Sequence, residues 1–527
     1  MYGSRCFDKT LVLRDGVRLT SRIWLPNNDN GPWPALLMRQ PYGKEIASTI
    51  TYSHPEWWAS KGYMVIIQDV RGMGSSEGFF NGFKQEAGDT SETHEWVRSL
   101  KECNGKLGLY GFSYQGFTQL IGESNSKPPD CLSPAMTGLN IKDHWCSDGG
   151  AYWWHNNIAW GLQIAALKMK KENNLFEWEK IRLALENKSY LREGIDILKN
   201  YDPNSFVLLW LRNLNNGCLF EEFKPISTWI KQPMLIIGGL WDPHLKGAFD
   251  LYKKSQEAGG SPEILIGNAT HLNWWEGSQR SLLKFFDKHL KLDKKLNSNN
   301  NLKENKIWNI SLNQWDELDN KFCPEFIFGL KSDGIANIDA EDGSLTIKSK
   351  GSGWFTIVND PWRPAPSDGG HLGPNPGNFN RNIIDKRLDV GVFQTNYFEE
   401  DQYFKGVPTL EIPVKSDQPN FDICLALSLV EKDDEKVNQF STGFLRVKNS
   451  QISKECIYKI TMQPTNICLI KGSKLRLSIS AAAYPAIGVN PGFGDENIGA
   501  PSANHRIITL SFTLNQAFMK MSPFFNK

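Results

Sequence analysis

The sequence lacks an excess of either charge: 59 Lys and Arg stand against 58 Asp and Glu. Such balance leaves no field to draw nucleic acid or an anionic membrane surface, so neither is an expected partner. No stretch of about 18 apolar residues runs free of charges, so no membrane-spanning helix is expected. Met1–Thr10 has no apolar run of the signal-peptide kind. The nine cysteines are scattered, odd in number and never spaced C-x-x-C. That pattern argues against a disulfide framework or a thiolate metal site, and for reduced, mostly buried thiols. Together these absences set the expectation of a cytoplasmic protein. No internal repeat is found. What is present is a globular composition, 40% apolar and 22% charged over 527 residues. At ~150 residues per domain this predicts two to four domains. The 19 Trp and 29 Phe fit apolar binding surfaces or large cores equally well.

The chain changes grammar twice. Leu11–Leu25 reads as two alternating runs joined by Asp15-Gly16, a hairpin signal. Pro34–Lys44 reads as a strand ending in a Pro/Gly loop, and Tyr63–Asp69 as a strand of the parallel-sheet type. Glu86–Leu100 and Gln115–Ser124 read as helices, the first with Trp96, Val97 and Leu100 on one face. Strands recur at 233–239 and 263–267 with a helix near 247–258 between them. This alternation predicts a largely parallel sheet covered on both faces. Residues 140–225 break the rhythm: Ala151–Lys171, Leu175–Glu186 and Phe206–Asn213 read as helices with no strands between. Such an insertion is expected to be a lid over a site, or else a plain helical subdomain. Lys288–Lys306 is polar and repetitive, a linker pattern. Beyond it, short alternating runs at 409–414, 421–428, 456–462, 474–480 and 506–512 predict an antiparallel β-sandwich of jelly-roll type.

The chemistry centres on Leu107–Leu120. An apolar run enters Gly111-Phe-Ser113 and leaves as a helix, a strand–turn–helix with a hydroxyl at its apex. Glycines at 111 and 116 remove the Cβ atoms that would clash where strand and helix meet. The N–H after the serine then faces an oxygen that turns negative during attack. The match to G-x-S-x-G is offset, because Gln115 takes the place of the second glycine. A serine nucleophile needs a base and an acid that orients it. Asp242 and His271 each fall a few residues past the carboxyl end of a later strand, in the order Ser, acid, His. His244 and His289 are rival bases. The Gly-rich stretch Asp69–Gly78 invites a phosphate-cradle reading, but no Lys-Ser/Thr follows it. An Asp69–Arg71 pair holding a tight loop is expected there instead.

At these residues the chain resembles a known family, the cocaine-esterase-like and X-Pro dipeptidyl-peptidase serine hydrolases, which include the α-amino-acid ester hydrolases. Gly111-Phe-Ser-Tyr-Gln-Gly116 resembles its G-x-S-Y-x-G elbow, and Pro41-Tyr-Gly-Lys44 its P-Y-x-K segment. Asp69–Gly78 is similar to its D-x-R-G-x-G-x-S-x-G loop. Leu240-Trp-Asp242 and Thr270-His271 resemble its acid and base segments, and Phe285–Leu290 the close of its hydrolase domain. Pro361-Trp-Arg-Pro364 and Tyr484–Pro491 resemble its jelly-roll motifs. The resemblance implies Ser113 as nucleophile, His271 as general base, Asp242 as its orienter, and an oxyanion hole from the Tyr42 hydroxyl and the Tyr114 N–H. It implies an α/β fold: a catalytic domain of residues 1–139 and 226–298, a helical cap at 140–225, and a jelly-roll domain at 299–527. No metal or cofactor is required.

The expected activity is hydrolysis of an ester or amide of a small acyl group through an acyl-enzyme. The alternative within the class is release of X-Pro dipeptides or cleavage of α-amino-acid esters. The alternative outside it is a catalytically idle jelly-roll binding protein. The expected partner is a small ester, amide or short peptide, and homo-oligomerisation is compatible with the resemblance. Trp153, Trp154 and Trp160 are candidates for an apolar acyl pocket, with core packing as the alternative. Asp148 is a candidate for an ammonium site; it and Asp143 are otherwise solvated loop acids.

Overall fold

The computed structural model describes residues 4–524 apart from 29, 46–50, 215–222, 292–303, 319–323, 433–435 and 495–498. The strands that carry the first half of the chain are β1 (Ser4–Val12), β2 (Arg18–Pro26), β3 (Trp33–Gln40), β4 (Met64–Asp69), β5 (Cys103–Phe112) and β6 (Cys131–Ala135). A two-residue ribbon, β7 (Ser147–Asp148) and β8 (Ala151–Tyr152), precedes the helical segment. Then come β9 (Leu235–Trp241), β10 (Glu263–Thr270), β11 (Asn305–Asn309) and β12 (Gln314–Glu317). Apart from the ribbon they form one sheet of order β1-β2-β4-β3-β5-β6-β9-β10-β11-β12. Its pairs from β4 through β11 are parallel, and the β1–β2, β2–β4 and β11–β12 pairs at its ends are antiparallel.

Side-chain alternation along each strand sends apolar groups to both faces. Leu36, Met38, Val65, Ile67, Tyr110 and Phe112 join one core with Trp58 of α1 (Pro55–Ser60) and Leu282, Phe285 and Phe286 of α10 (Ser278–Leu290). Ala35, Leu37, Ile66, Leu107 and Leu109 face the other way, toward Val97 of α2 (Glu86–Ser99) and Leu245 and Leu251 of α9 (Leu245–Glu257). A sheet covered on both faces is thus built around central strands, β3, β4 and β9, that are buried along their whole length.

Among the described residues five helices, α4 (Trp154–Lys171), α5 (Leu175–Glu186), α6 (Tyr190–Tyr201), α7 (Phe206–Asn213) and the single turn α8 (Ser227–Ile230), occupy the break between β8 and β9. Of these, α6 and α8 escape the sequence reading. Close packing is set by glycine: a Cβ at Gly194 of α6 would lie 2.3 Å from Ile158 of α4. The C-terminal part is a thirteen-stranded, mostly antiparallel β-sandwich, with a core that includes stacked Phe355 and Phe512, centroids 4.4 Å apart. Among the described residues no helix is long and apolar enough to cross a membrane.

Three expectations need correcting. Residues 305–317, expected to open the C-terminal domain, instead extend the first sheet, with Ile264–Ile266 of β10 pairing in parallel with 305–307. A run such as Ile307-Trp308 fits either sheet, so composition does not separate them. Most of the expected linker lies outside the described residues. The helix expected over 115–124 closes after four residues, α3 (Tyr114–Phe117). There the bonds tighten from Phe117→Ser113 and Thr118→Tyr114 to Gln119→Gly116 and Leu120→Phe117, a 3₁₀ ending. Arg71 does not pair with Asp69. It forks onto Asp89 at 3.0 and 2.7 Å and reaches Asp15 at 2.6 Å. Asp69, fully buried, instead takes the N–H groups of Ser75 and Lys44.

Candidate active site

The elbow is backbone-made. Ser113 has φ 59° and ψ −128°, a conformation an L residue holds only when its surroundings impose it. Its N–H donates to the Ala135 and Met136 carbonyls at 2.9 and 3.2 Å, tying the turn to the end of β6. Gly116 is required by space, since a Cβ there would sit 2.9 Å from the Ala135 oxygen. Tyr114 opens α3, so its N–H is among those a helix leaves without an internal partner.

Asp242 and His271 follow β9 and β10, neighbouring parallel strands. His271 Nδ1 bonds Asp242 Oδ2 at 2.5 Å, and the other carboxylate oxygen takes the His244 N–H at 2.8 Å. Burial alone would raise the Asp242 carboxyl; the adjoining His271 outweighs it and holds the group below the ordinary range. Phe112, the residue before Ser113, has its ring 5.2 Å from that of His271. No Ser113–His271 hydrogen bond is formed among the described residues, a looseness common in unliganded sites.

Tyr42, in the loop after β3, stands beside Ser113. Burial pushes its phenol up to about 12, against the opposing pull of Trp160 and Ser113 next to it, so it is a hydrogen-bond donor at neutral pH. The Trp160 Nε1–H is buried and finds no partner in hydrogen-bond geometry. The Tyr114 ring packs against Phe83 and Trp160, and its hydroxyl bonds buried Glu86 at 2.7 Å, itself paired with Arg39 at 2.7 Å.

The rival histidines have other surroundings. His244 shares Asp242's loop, but its Nδ1 is bound to the His144 carbonyl at 2.6 Å, and burial takes it down to about 3, leaving it neutral. His289 lies on α10 against Phe285, centroids 4.8 Å apart.

Of the substrate-binding candidates Trp160 stands beside Tyr42, within a wall of Phe83, Trp145, Phe206 and Trp210. Trp153 packs into a cluster with Leu372, Phe444 and Ile487 of the C-terminal part. Trp154 is core and donates its indole N–H to the Leu191 carbonyl. Asp148 is neither a solvated loop acid nor an open ammonium site. It is 6% exposed, with Lys246 Nζ at 2.5 Å and His371 Nε2 at 3.0 Å. Burial works against its charge, yet the Lys246 ammonium and the hydrogen bond from His371 hold the carboxyl down to about 2. Asp143 is exposed and bonded by Asn140. Phe83, Phe206 and Trp210 were missed as site residues; the i, i+4 spacing of the last two on α7 was the available signal. Gln463, which donates to the Asp242 carbonyl at 2.8 Å from the C-terminal part, gave none.

A ten-stranded α/β sheet of this order, carrying Ser, Asp and His beyond its strand ends, defines a serine hydrolase of the α/β-hydrolase class. Residues 15–273 match the family model of the X-Pro dipeptidyl-peptidase (S15 family), and 325–511 that of the X-Pro dipeptidyl-peptidase C-terminal non-catalytic domain. The chain belongs to this family, the cocaine-esterase-like and X-Pro dipeptidyl-peptidase serine hydrolases. It is 23% identical to cocaine esterase of Rhodococcus sp. (strain MB1 Bresler), over 92% of this chain and 91% of that one. Its fold is similar to an aminopeptidase from a marine sediment archaeon, Thaumarchaeota archaeon (TM-score 0.79, 17% identity, 99% and 96% of the two chains). It is likewise similar to an α-amino acid ester hydrolase (TM-score 0.70, 18% identity, 98% and 96% covered).

Proposed function

We propose that this serine hydrolase cleaves esters of a small, uncharged, apolar acyl group through a Ser113 acyl-enzyme. The 2.5 Å Asp242–His271 bond, at the same carboxyl edge of the sheet as Ser113 and Tyr42, carries the reading. Ser113 Oγ attacks the carbonyl carbon as His271 Nε2 takes its proton. Asp242 holds the imidazole in the tautomer with Nδ1 protonated and stabilises its charge. The carbonyl oxygen, now negative, receives the Tyr42 O–H and the Tyr114 N–H. Collapse breaks the bond to the leaving oxygen, which departs as alcohol with the proton from His271. Water, deprotonated by His271, then cleaves the acyl-enzyme and releases the acid. Residues 1–139 and 226–298, extended by 305–317, would form the catalytic body, with 140–225 as a cap whose Trp160 lines the acyl side.

The charge balance supports a neutral acyl group. Asp148, Glu86 and Asp89, three buried carboxylates of this half of the chain, each face a cation already: Lys246, Arg39 and Arg71. An ammonium would find no uncommitted partner among them. The test is turnover of an aryl ester, an α-amino-acid ester and an X-Pro anilide, with Ser113→Ala as blank. The plain ester is expected to be preferred, and Ser113→Ala to lose roughly 10⁴-fold or more in kcat together with fluorophosphonate labelling. Faster turnover of an amine-bearing substrate would overturn the acyl assignment; unchanged labelling in Ser113→Ala would overturn the nucleophile.

A further inference from the structure

Gln115 occupies the position where the elbow motif departs from G-x-S-x-G, and its side chain is fully engaged. Its Oε1 accepts the Phe112 N–H at 3.3 Å, one residue before Ser113. Its Nε2 donates to Gln40 Oε1 at 3.0 Å, and Gln40 Nε2 donates to the Gly43 carbonyl at 2.9 Å, one residue after Tyr42. Both glutamines are buried, at 1% and 0% exposure. The direction of this chain is forced. A backbone N–H at one end demands an amide oxygen, and a backbone carbonyl at the other demands an amide nitrogen, so neither amide can flip without facing like against like. On the far side of the same loop Lys44 N–H is held by Asp69.

We infer that Gln40 and Gln115 are positioning residues that set the Tyr42 hydroxyl against the Ser113 elbow, spacing the two halves of the oxyanion hole. The inference rests on the proposed role of Tyr42. A hole built from one side chain and one backbone N–H on separate loops has no covalent element to fix its width. The amide bridge supplies a hydrogen-bonded one, from the elbow backbone to the Tyr42 loop backbone, in a buried site where each bond is costly to leave unmade. Glutamate at 115 would keep the acceptor for Phe112 and lose the donor to Gln40. Gln40 could answer only by turning its oxygen toward the Gly43 carbonyl, which releases the loop.

The test is a double-mutant cycle on aryl-ester hydrolysis using Gln40→Met, Gln115→Glu and Tyr42→Phe, with the thermal midpoint of each protein measured alongside. Tyr42→Phe alone is expected to lose about 10²–10³-fold in kcat, as for one oxyanion donor. If it loses nothing, the role of Tyr42 fails before the bridge is tested. Either glutamine variant is expected to lose roughly 10–100-fold in kcat with little change in KM, the scale of a misplaced group. In the Tyr42→Phe background that loss should shrink to a few-fold, because the residue being positioned is gone. An equal loss in both backgrounds, or wild-type kcat in Gln115→Glu, overturns the inference. Gln115→Glu serves where Gln40→Met does not fold.

Discussion

His244 and His94 show how burial leads in deciding the state of a titratable residue. Enclosure takes His244 down to about 3, and His94, stacked on Trp229 at 5.0 Å, also well below its ordinary 6.5. Charges of Arg98 and Arg39 push His94 the same way. Both are neutral in the fold and protonate near 6.5 once unfolded, so below that pH the unfolded chain binds more protons. Their contribution to stability is therefore complete above about pH 6.5 and falls as pH drops toward the folded values, by up to ~1.4 kcal/mol per pH unit for each. The thermal midpoint should decline between pH 7 and 5, less steeply in His94→Leu. Equal slopes for variant and wild type would remove His94 from this account.

At the scale of elements, the proposed acid and base are brought together by strand spacing. Gly239 of β9 pairs with Gly267 of β10, and a Cβ at 239 would lie 2.4 Å from the Ala269 carbonyl oxygen. That atom is backbone and cannot swing aside, so a side chain there must push β9 and β10 apart just before Asp242 and His271. Gly239→Ala is expected to cost roughly 1–3 kcal/mol in stability, as overpacking does. It should also lower kcat by lengthening the Asp242–His271 bond. Chemical denaturation and steady-state kinetics on one preparation check both; unaltered kcat would mean that the strands absorb the methyl elsewhere.

Across the whole molecule, the C-terminal sandwich reaches the proposed reaction centre directly. Gln463 holds the Asp242 carbonyl. Ala486 and Pro485 carbonyls accept the Trp154 and His155 N–H groups that open α4, so a helix end is capped by another part of the chain. Asp148, Lys246 and His371 join the ribbon, α9 and the sandwich in one hydrogen-bonded cluster. Asp148→Asn leaves Lys246 without its counter-charge. The expected cost is about 2–3 kcal/mol, less than the ~3–5 of a fully enclosed pair, because Lys246 still reaches water. The urea midpoint measures it. The ratio of plain-ester to amine-ester turnover should not move, and a shift against the amine-bearing substrate would return Asp148 to the role of ammonium partner.

The sequence by itself determined what depends on near neighbours. Apolar runs with side chains for two faces made the parallel strands legible, and the strand ends that carry Ser113, Asp242 and His271 followed from those runs. The glycines at 111 and 116 revealed the tight turn because a missing Cβ matters within a few residues. The tertiary structure decided what depends on partners far along the chain. Arg71 prefers Asp89 because α2 presents a carboxylate to both arms of its guanidinium, a geometry that spacing does not encode. Trp153 and Trp160, seven residues apart on one segment, go respectively to the sandwich seam and to the reaction centre. Asp148 lost its candidacy to a histidine 223 positions away. Composition supplied the aromatic and acidic groups, and only folding, by bringing distant cations and carbonyls against them, decided which were committed to structure and which were left to meet a substrate.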